Sequence, residues 1–231
     1  FESYRKKLKD NKIDFFSHGD TEVFLKLYEQ NGINFLFDKD IDSLFALTIY
    51  DENKKKIFLT RDWPGRIPLY YYQDNKRFVF SSELKGFKPL KSLSLQDPVE
   101  LEPGHYIEYD IIKKKISKKK FFKPIHSVIN NNNDINKIGS DLNQLLDESA
   151  KNRTMGDVPI CTMLSGGIDS VLTTFYVFKN LNFKKIGYQP TSYVFSVKGF
   201  DSPDVKKARL AANGFRSINL KLIEIQAPRE E

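Results

Sequence analysis

The stretch that most constrains this 231-residue chain is Ile160-Cys161-Thr162-Met163-Leu164-Ser165-Gly166-Gly167-Ile168-Asp169-Ser170. An apolar run of this length reads as a buried parallel strand. It breaks at Gly166-Gly167, and residues 171–179 follow with helical spacing that puts Leu172, Phe175 and Tyr176 on one face. Strand, glycine turn and helix in that order aim free backbone N–H groups at an anion. The glycines let backbone approach a ligand with no Cβ in the way. Ser165 and Ser170 add hydroxyl donors, and Asp169 adds a carboxylate that beside phosphates suits Mg²⁺. No lysine lies between Arg153 and Lys179, which excludes the lysine-bearing loop Gly-x4-Gly-Lys-Ser/Thr. The plain alternative is an ordinary strand-to-helix turn that uses two glycines.

Ser165-Gly166-Gly167-x-Asp169-Ser170 resembles the pyrophosphate loop of enzymes that cleave ATP to AMP and pyrophosphate. That points to ATP and leaves open what the ATP activates. Composition narrows the classes further. Hydrophobic content of 40% with 13% aromatics is globular. No apolar run is long enough to span a membrane, and Phe1 to Lys7 lacks the apolar region of a signal peptide. One cysteine excludes an intramolecular disulfide framework and fits a reducing, cytoplasmic compartment. The net charge of +7 could suggest nucleic acid, but much of the excess lies in Lys113-Lys114-Lys115-Ile116-Ser117-Lys118-Lys119-Lys120. That run reads as strand ends joined by a solvated turn, so no nucleic-acid partner is expected.

Taken in order, Asp20 is placed to cap a helix whose stripe is Val23, Phe24, Leu27 and Tyr28, with Gly32 as its stop. From Leu44 the period becomes two. Residues 44–50 and 56–61 read as one hairpin, and 68–72 and 77–81 as a second around Asp74-Asn75. A helical turn follows at 82–87, then strands at 104–109 and near Ile116. Short turns between strands require antiparallel sheet. Asn130 to Asn133 marks a linker. After it Ile135, Ile138, Leu142, Leu145 and Leu146 form an amphipathic helical stripe. Beyond the phosphate loop come a strand at 192–197, a helix started by Ser202-Pro203 and closed by Gly214, and a strand at 219–225. Alternating strands and helices mean a parallel sheet, with nucleotide outside the strands' carboxyl ends.

Both halves now carry a family pattern. Phe45-Ala46, Tyr50-Asp51, Arg61-Asp62, Gly65, Pro68-Leu69-Tyr70-Tyr71, Ser81-Ser82-Glu83-Leu84-Lys85 and Leu101-Glu102-Pro103-Gly104 resemble the glutaminase domain of glutamine-hydrolysing asparagine synthetases. Asp157-Val158-Pro159, Leu164 to Ser170, Phe195-Ser196-Val197 and Ser202-Pro203-Asp204 look like the start of their synthetase domain. The resemblance implies α+β followed by α/β. The first part would be an incomplete antiparallel N-terminal-nucleophile (Ntn) hydrolase sandwich over 1–123. A linker at 124–133 would join it to an incomplete parallel-sheet ATP-pyrophosphatase domain over 134–231. It implies ATP and Mg²⁺ as cofactors, glutamine and aspartate or a similar carboxylate as substrates, and a homodimer. Glutamine-derived ammonia would be transferred to an adenylated carboxylate, giving asparagine, AMP and pyrophosphate. Carried over by position, Asp20 would bind the glutamine ammonium group. Leu164 and Val197 would contact adenosine, Ser165, Gly166, Gly167 and Ser170 the phosphates, and Asp169 the metal.

Two departures matter. Phe1 offers no thiol or hydroxyl, and the family's cysteine, its glutamine-binding arginine and its Asn-Gly-Glu motif have no counterpart in the sequence given. The chain is therefore expected to be a piece of a longer protein, with no catalytic nucleophile and no glutaminase activity of its own. Cys161, inside an expected buried strand, is read as core. Trp63-Pro64 and Arg66 replace the residues usual in the family, which leaves open a β-lactam-type synthetase or a non-catalytic homologue. A tRNA-modifying ATPase with the same loop stays open too, although it needs no antiparallel domain. Arg61 and Asp62 read as a local ion pair, and Asp201 and Asp204 as helix caps.

Overall fold

The computed structural model describes residues 1–38, 41–90, 97–123, 134–154, 156, 158–181, 187–199 and 202–228. The chain divides into two compact units, Phe1–Val128 and Ile129–Glu231. The division falls inside the tract expected as a linker, which itself lies outside the described residues, as does Asp201.

In the first unit, helices α1 (Glu2–Asp10) and α2 (Asp20–Asn31) and a 3-10 turn (Gly32–Phe37) precede the strands. Strands β1 (Ala46–Asp51), β2 (Lys56–Arg61), β6 (His105–Asp110) and β7 (Lys115–Lys120) form an antiparallel sheet in the order β1-β2-β6-β7. Strands β3 (Tyr70–Gln73), β4 (Phe78–Ser81) and β5 (Val99–Glu100) form a second, in the order β4-β3-β5. Both expected hairpins close, with Ala46 opposite Arg61 and Tyr70 opposite Ser81.

Period-two alternation decides how the layers stack. Phe58 on β2 packs with Tyr4, Leu8, Val23, Phe24, Leu27 and Tyr28 from the helices. Its neighbour Leu59 packs on the other face with Ile107, Leu69 and Leu101, and with Tyr71 and Phe78 of the second sheet. The four-stranded sheet is thus covered on both sides, and each fully buried Leu contributes about 1.5–3 kcal/mol. All four stripe residues expected of α2 are buried, and Gly32 stops the helix at φ +57°.

The strand expected near Ile116 forms as the edge strand β7, Lys115–Lys120, with Lys113 and Lys114 in the turn before it, and charge along an edge discourages pairing with another chain. One expectation fails at α2. Asp20 does not cap α2. Gly19 is the N-cap and Asp20 the first helical residue, while Glu22 turns back to accept from Phe16 N, Ser17 N and Ser17 Oγ at 2.8, 2.6 and 2.7 Å.

In the second unit, β8 (Cys161–Met163), β9 (Thr191–Val197) and β10 (Lys221–Ala227) form a parallel sheet in the order β10-β9-β8. Helix α3 (Ile135–Arg153) precedes it, α4 (Ile168–Asn180) follows β8, and α5 (Pro203–Gly214) follows β9. Leu164, Val194, Val205 and Ala208 form the core. Beside it Thr162 Oγ1 shares hydrogen bonds with Thr174 Oγ1 at 3.0 Å and Ser192 Oγ at 2.7 Å, joining β8, α4 and β9.

Burial departs from expectation at three places. Strand β8 is an edge among the described strands and is buried only at Thr162, so Cys161 is exposed and not core. Its neighbours on that face, Met163, Phe195, Val197 and Ile225, are exposed too. Helix α4 buries Thr174, Tyr176 and Phe178, leaving Leu172 and Phe175 exposed, because the sheet meets it one position round from the most apolar stripe. Helix α3 forms, capped by Asp134, but buries no residue. It meets α4 through polar groups instead. Asn143 accepts from Tyr176 Oη, and Asp147 accepts from Asn180 Nδ2 at 2.8 Å and pairs with Lys179 at 3.0 Å.

Candidate functional site

In the second unit the candidate site is the turn from β8 into α4. Leu164 N donates to Tyr193 O at 2.8 Å, which fixes the end of β8 against β9. The chain then reverses through Gly166 at φ +77°, and a Cβ there would stand 2.4 Å from Lys207 C and Cβ and 2.6 Å from Ala208 N. Only glycine lets the turn lie this close to α5. Gly167 differs, since a Cβ on it would meet only Ser165 Oγ at 3.7 Å. Ser165 Oγ donates to Ser170 Oγ at 3.1 Å, and Ser170 Oγ donates to Gly167 O at 2.9 Å. The turn is therefore tied before any ligand arrives.

The N-terminus of α4 has no side-chain cap, whereas Asp134 caps α3 and Ser202 caps α5 in the same unit. The first amides of α4 are left for solvent or an anion. Asp169 is exposed in that first turn. Among the described residues no cluster of three His, Cys, Asp or Glu could hold a metal. The arrangement fits Mg²⁺ as the partner of a nucleotide phosphate, which supplies the remaining oxygens, and offers no all-protein cage. Val197 lies exposed at the carboxyl end of β9. Leu164 is 1% exposed, packs in the core and donates from its amide to Tyr193 O, so the residue expected to contact adenosine is not presented to a ligand.

In the first unit Asp20 is exposed at the start of α2, and Thr21 Oγ1 donates to its Oδ1 at 3.5 Å. The segment before it is held by Glu22, whose carboxyl is kept below its ordinary range first by the Phe16 amide and then by the Ser17 hydroxyl. Glutamate at the third helical position is the sequence signal for this backward reach. Arg61 and Asp62 are not a local pair. Arg61 is 2% exposed and donates to Glu100 Oε1 at 2.6 Å, Leu101 O at 3.0 Å and Gly65 O at 2.7 Å. Asp62, fully buried, accepts from the amides of Arg66 and Ile67 at 2.9 and 3.2 Å. Together they shape the 62–67 loop. Its Trp63 is partly exposed and stacks on Phe122 with ring centroids 4.5 Å apart.

The glutamine amidotransferase domain family matches residues 1–140, and the asparagine synthase family matches residues 141–228. The glutamine-hydrolysing asparagine synthetase of Bos taurus is 30% identical over 227 residues, covering 90% of this chain and 40% of that protein. The chain belongs to the glutamine-hydrolysing asparagine synthetase family. Another member of that family, asparagine synthetase B of Escherichia coli, is 29% identical over 227 residues, covering 90% of this chain and 37% of its own length. The chain thus spans about 40% of the length of the relatives it matches. Glutamine phosphoribosylpyrophosphate amidotransferase of B. subtilis superposes with a TM-score of 0.45 and 13% identity, covering 91% of this chain and 56% of that one.

Proposed function

We propose that this chain is the glutaminase unit and the start of the ATP-binding unit of a ligase. That enzyme passes ammonia from glutamine to a carboxylate activated as its adenylate, with aspartate as the acceptor and asparagine, AMP and pyrophosphate as products. The first unit would be an Ntn-hydrolase sandwich over 1–123, and the second, over 134–231, an ATP-pyrophosphatase sheet.

The observation that carries the reading is the uncapped start of α4 behind a glycine turn pressed against α5. In it Ser165, Gly166, Gly167 and Ser170 cradle the phosphates through amides and hydroxyls, and Asp169 holds Mg²⁺ against them. Mg²⁺ supplies charge neutralisation on the phosphates. The amides stabilise charge on the departing pyrophosphate in place of a lysine. Val197, exposed at the carboxyl end of β9, borders the adenosine. Asp20 receives the ammonium group of glutamine, its side chain exposed in the first turn of α2.

The test supplies the full-length protein with ammonia, which bypasses glutamine hydrolysis, and identifies the nucleotide product. AMP and pyrophosphate in the presence of aspartate support the reading, and ADP and phosphate overturn it. Asp169→Asn should keep the fold and lose Mg²⁺-dependent turnover, since an amide is a poor Mg²⁺ ligand.

A further inference from the structure

Helix α1 buries an arginine, and the acceptors of that arginine lie outside the helix. Arg5 is 5% exposed, with its guanidinium carbon 4.4 Å from the centroid of the Phe15 ring. Its NH1 donates to Ser17 O at 2.8 Å and its NH2 donates to Gly19 O at 2.5 Å, while Nε stands 4.0 Å from Glu2 Oε1. Burying a guanidinium is costly unless its protons are accepted, and here the two carbonyls take NH1 and NH2 while Nε has no hydrogen-bond partner among the described residues. Both carbonyls belong to one three-residue segment that ends at the residue before Asp20.

Glu22 grips the same segment from the other side, through the amides of Phe16 and Ser17 and the Ser17 hydroxyl. The backbone of residues 16–19 is therefore pinned by a cation on the Ser17 and Gly19 carbonyls and an anion on the Phe16 and Ser17 amides. Yet the side chains of Phe16, His18 and Asp20 are all exposed, Phe16 by 95%. A segment with its backbone over-determined and its side chains bare is built to present groups outward, not to fill a core.

We infer that Arg5 is a positioning residue for the glutamine site, holding the Ser17 and Gly19 carbonyls so that Asp20 meets the substrate's ammonium group from a fixed direction. The inference rests on the reading of Asp20 given above. Lysine cannot reproduce it, because a single ammonium lacks the planar fork that spans two carbonyls.

The test uses the full-length protein and compares glutamine-driven with ammonia-driven synthesis. Arg5→Lys should raise KM for glutamine by roughly tenfold to a hundredfold, the loss of one charge-assisted hydrogen bond, with kcat and the ammonia-driven rate unchanged. Asp20→Ala should raise KM as well, and the double variant should be no worse than Asp20→Ala alone. Hydrogen exchange should speed up at residues 15–19 and stay unchanged in the core of α2, which separates a loosened segment from an unfolded unit. If Asp20→Ala raises KM and Arg5→Lys does not, the inference falls and the reading of Asp20 stands. If Arg5→Lys lowers the ammonia-driven rate equally, Arg5 is merely structural and the inference falls. If Asp20→Ala leaves KM unchanged, the reading of Asp20 falls and takes the inference with it.

Discussion

Adjacent glycines in the phosphate turn should respond differently to the same added methyl group. At Gly166 an alanine would adopt φ +77°, a left-handed conformation that costs an L-residue about 1–2 kcal/mol. Its Cβ would also stand 2.4 Å from Lys207 C and 2.6 Å from Ala208 N, both backbone atoms of a helix, so α5 must shift. Overpacking of that kind costs about 1–3 kcal/mol more. Reduced freedom of the unfolded chain returns about 0.4–1 kcal/mol. The net expectation is a loss of about 1–5 kcal/mol. Gly167→Ala meets only Ser165 Oγ at 3.7 Å in ordinary extended backbone, so its folded state should be unchanged to within a few tenths of a kcal/mol. Its effect should fall on nucleotide affinity, and Gly167→Val should block binding outright. Hydrogen exchange in peptides covering 161–170 and 203–214 reads the first effect. Fluorescence of Trp63, which is in the first unit, serves as the internal control. Equal exchange in the two alanine variants would refute the assignment of close packing to Gly166.

Arg61→Ala should destabilise the first unit by about 1–3 kcal/mol, since it leaves the Leu101 and Gly65 carbonyls without their donor while the half-exposed Glu100 turns to water; a urea titration followed at Trp63 measures it. The hydroxyl of Tyr28 is the first cause that lowers the Asp51 carboxyl to about 2, so stability linked to Asp51 is present above its ordinary pKa near 4 and is lost as pH falls toward 2. Tyr28→Phe should flatten that acid limb in a pH series of unfolding transitions. Thr162→Val orphans two buried hydroxyls and should cost more than Thr174→Val, which leaves Thr162 bonded to Ser192, with about 1 kcal/mol for the latter; thermal unfolding of both variants ranks them.

Local chemistry and periodicity were enough for much of this protein. Alternation at 56–61, the Asp74-Asn75 turn, the Ser202-Pro203 start of α5 and the strand–glycine–helix order at 160–170 each depend on neighbours a few residues apart. A single sequence displays such neighbours directly. The family pattern was legible for the same reason, as short motifs in a fixed order. Burial was not legible, because it depends on what a face meets. The stripe of α3 predicts a buried face, but the helix meets α4 through Asn143 and Asp147 and leaves Ile135, Ile138, Leu142 and Leu145 exposed. Cys161 is apolar in context and exposed because β8 is an edge with one face bare. Nor could the sequence link Arg61 to Glu100, or Arg5 to Ser17 and Gly19, since those contacts span 39, 12 and 14 residues. Polar partners at such separations are chosen by how the chain folds back, and only the tertiary structure decided them.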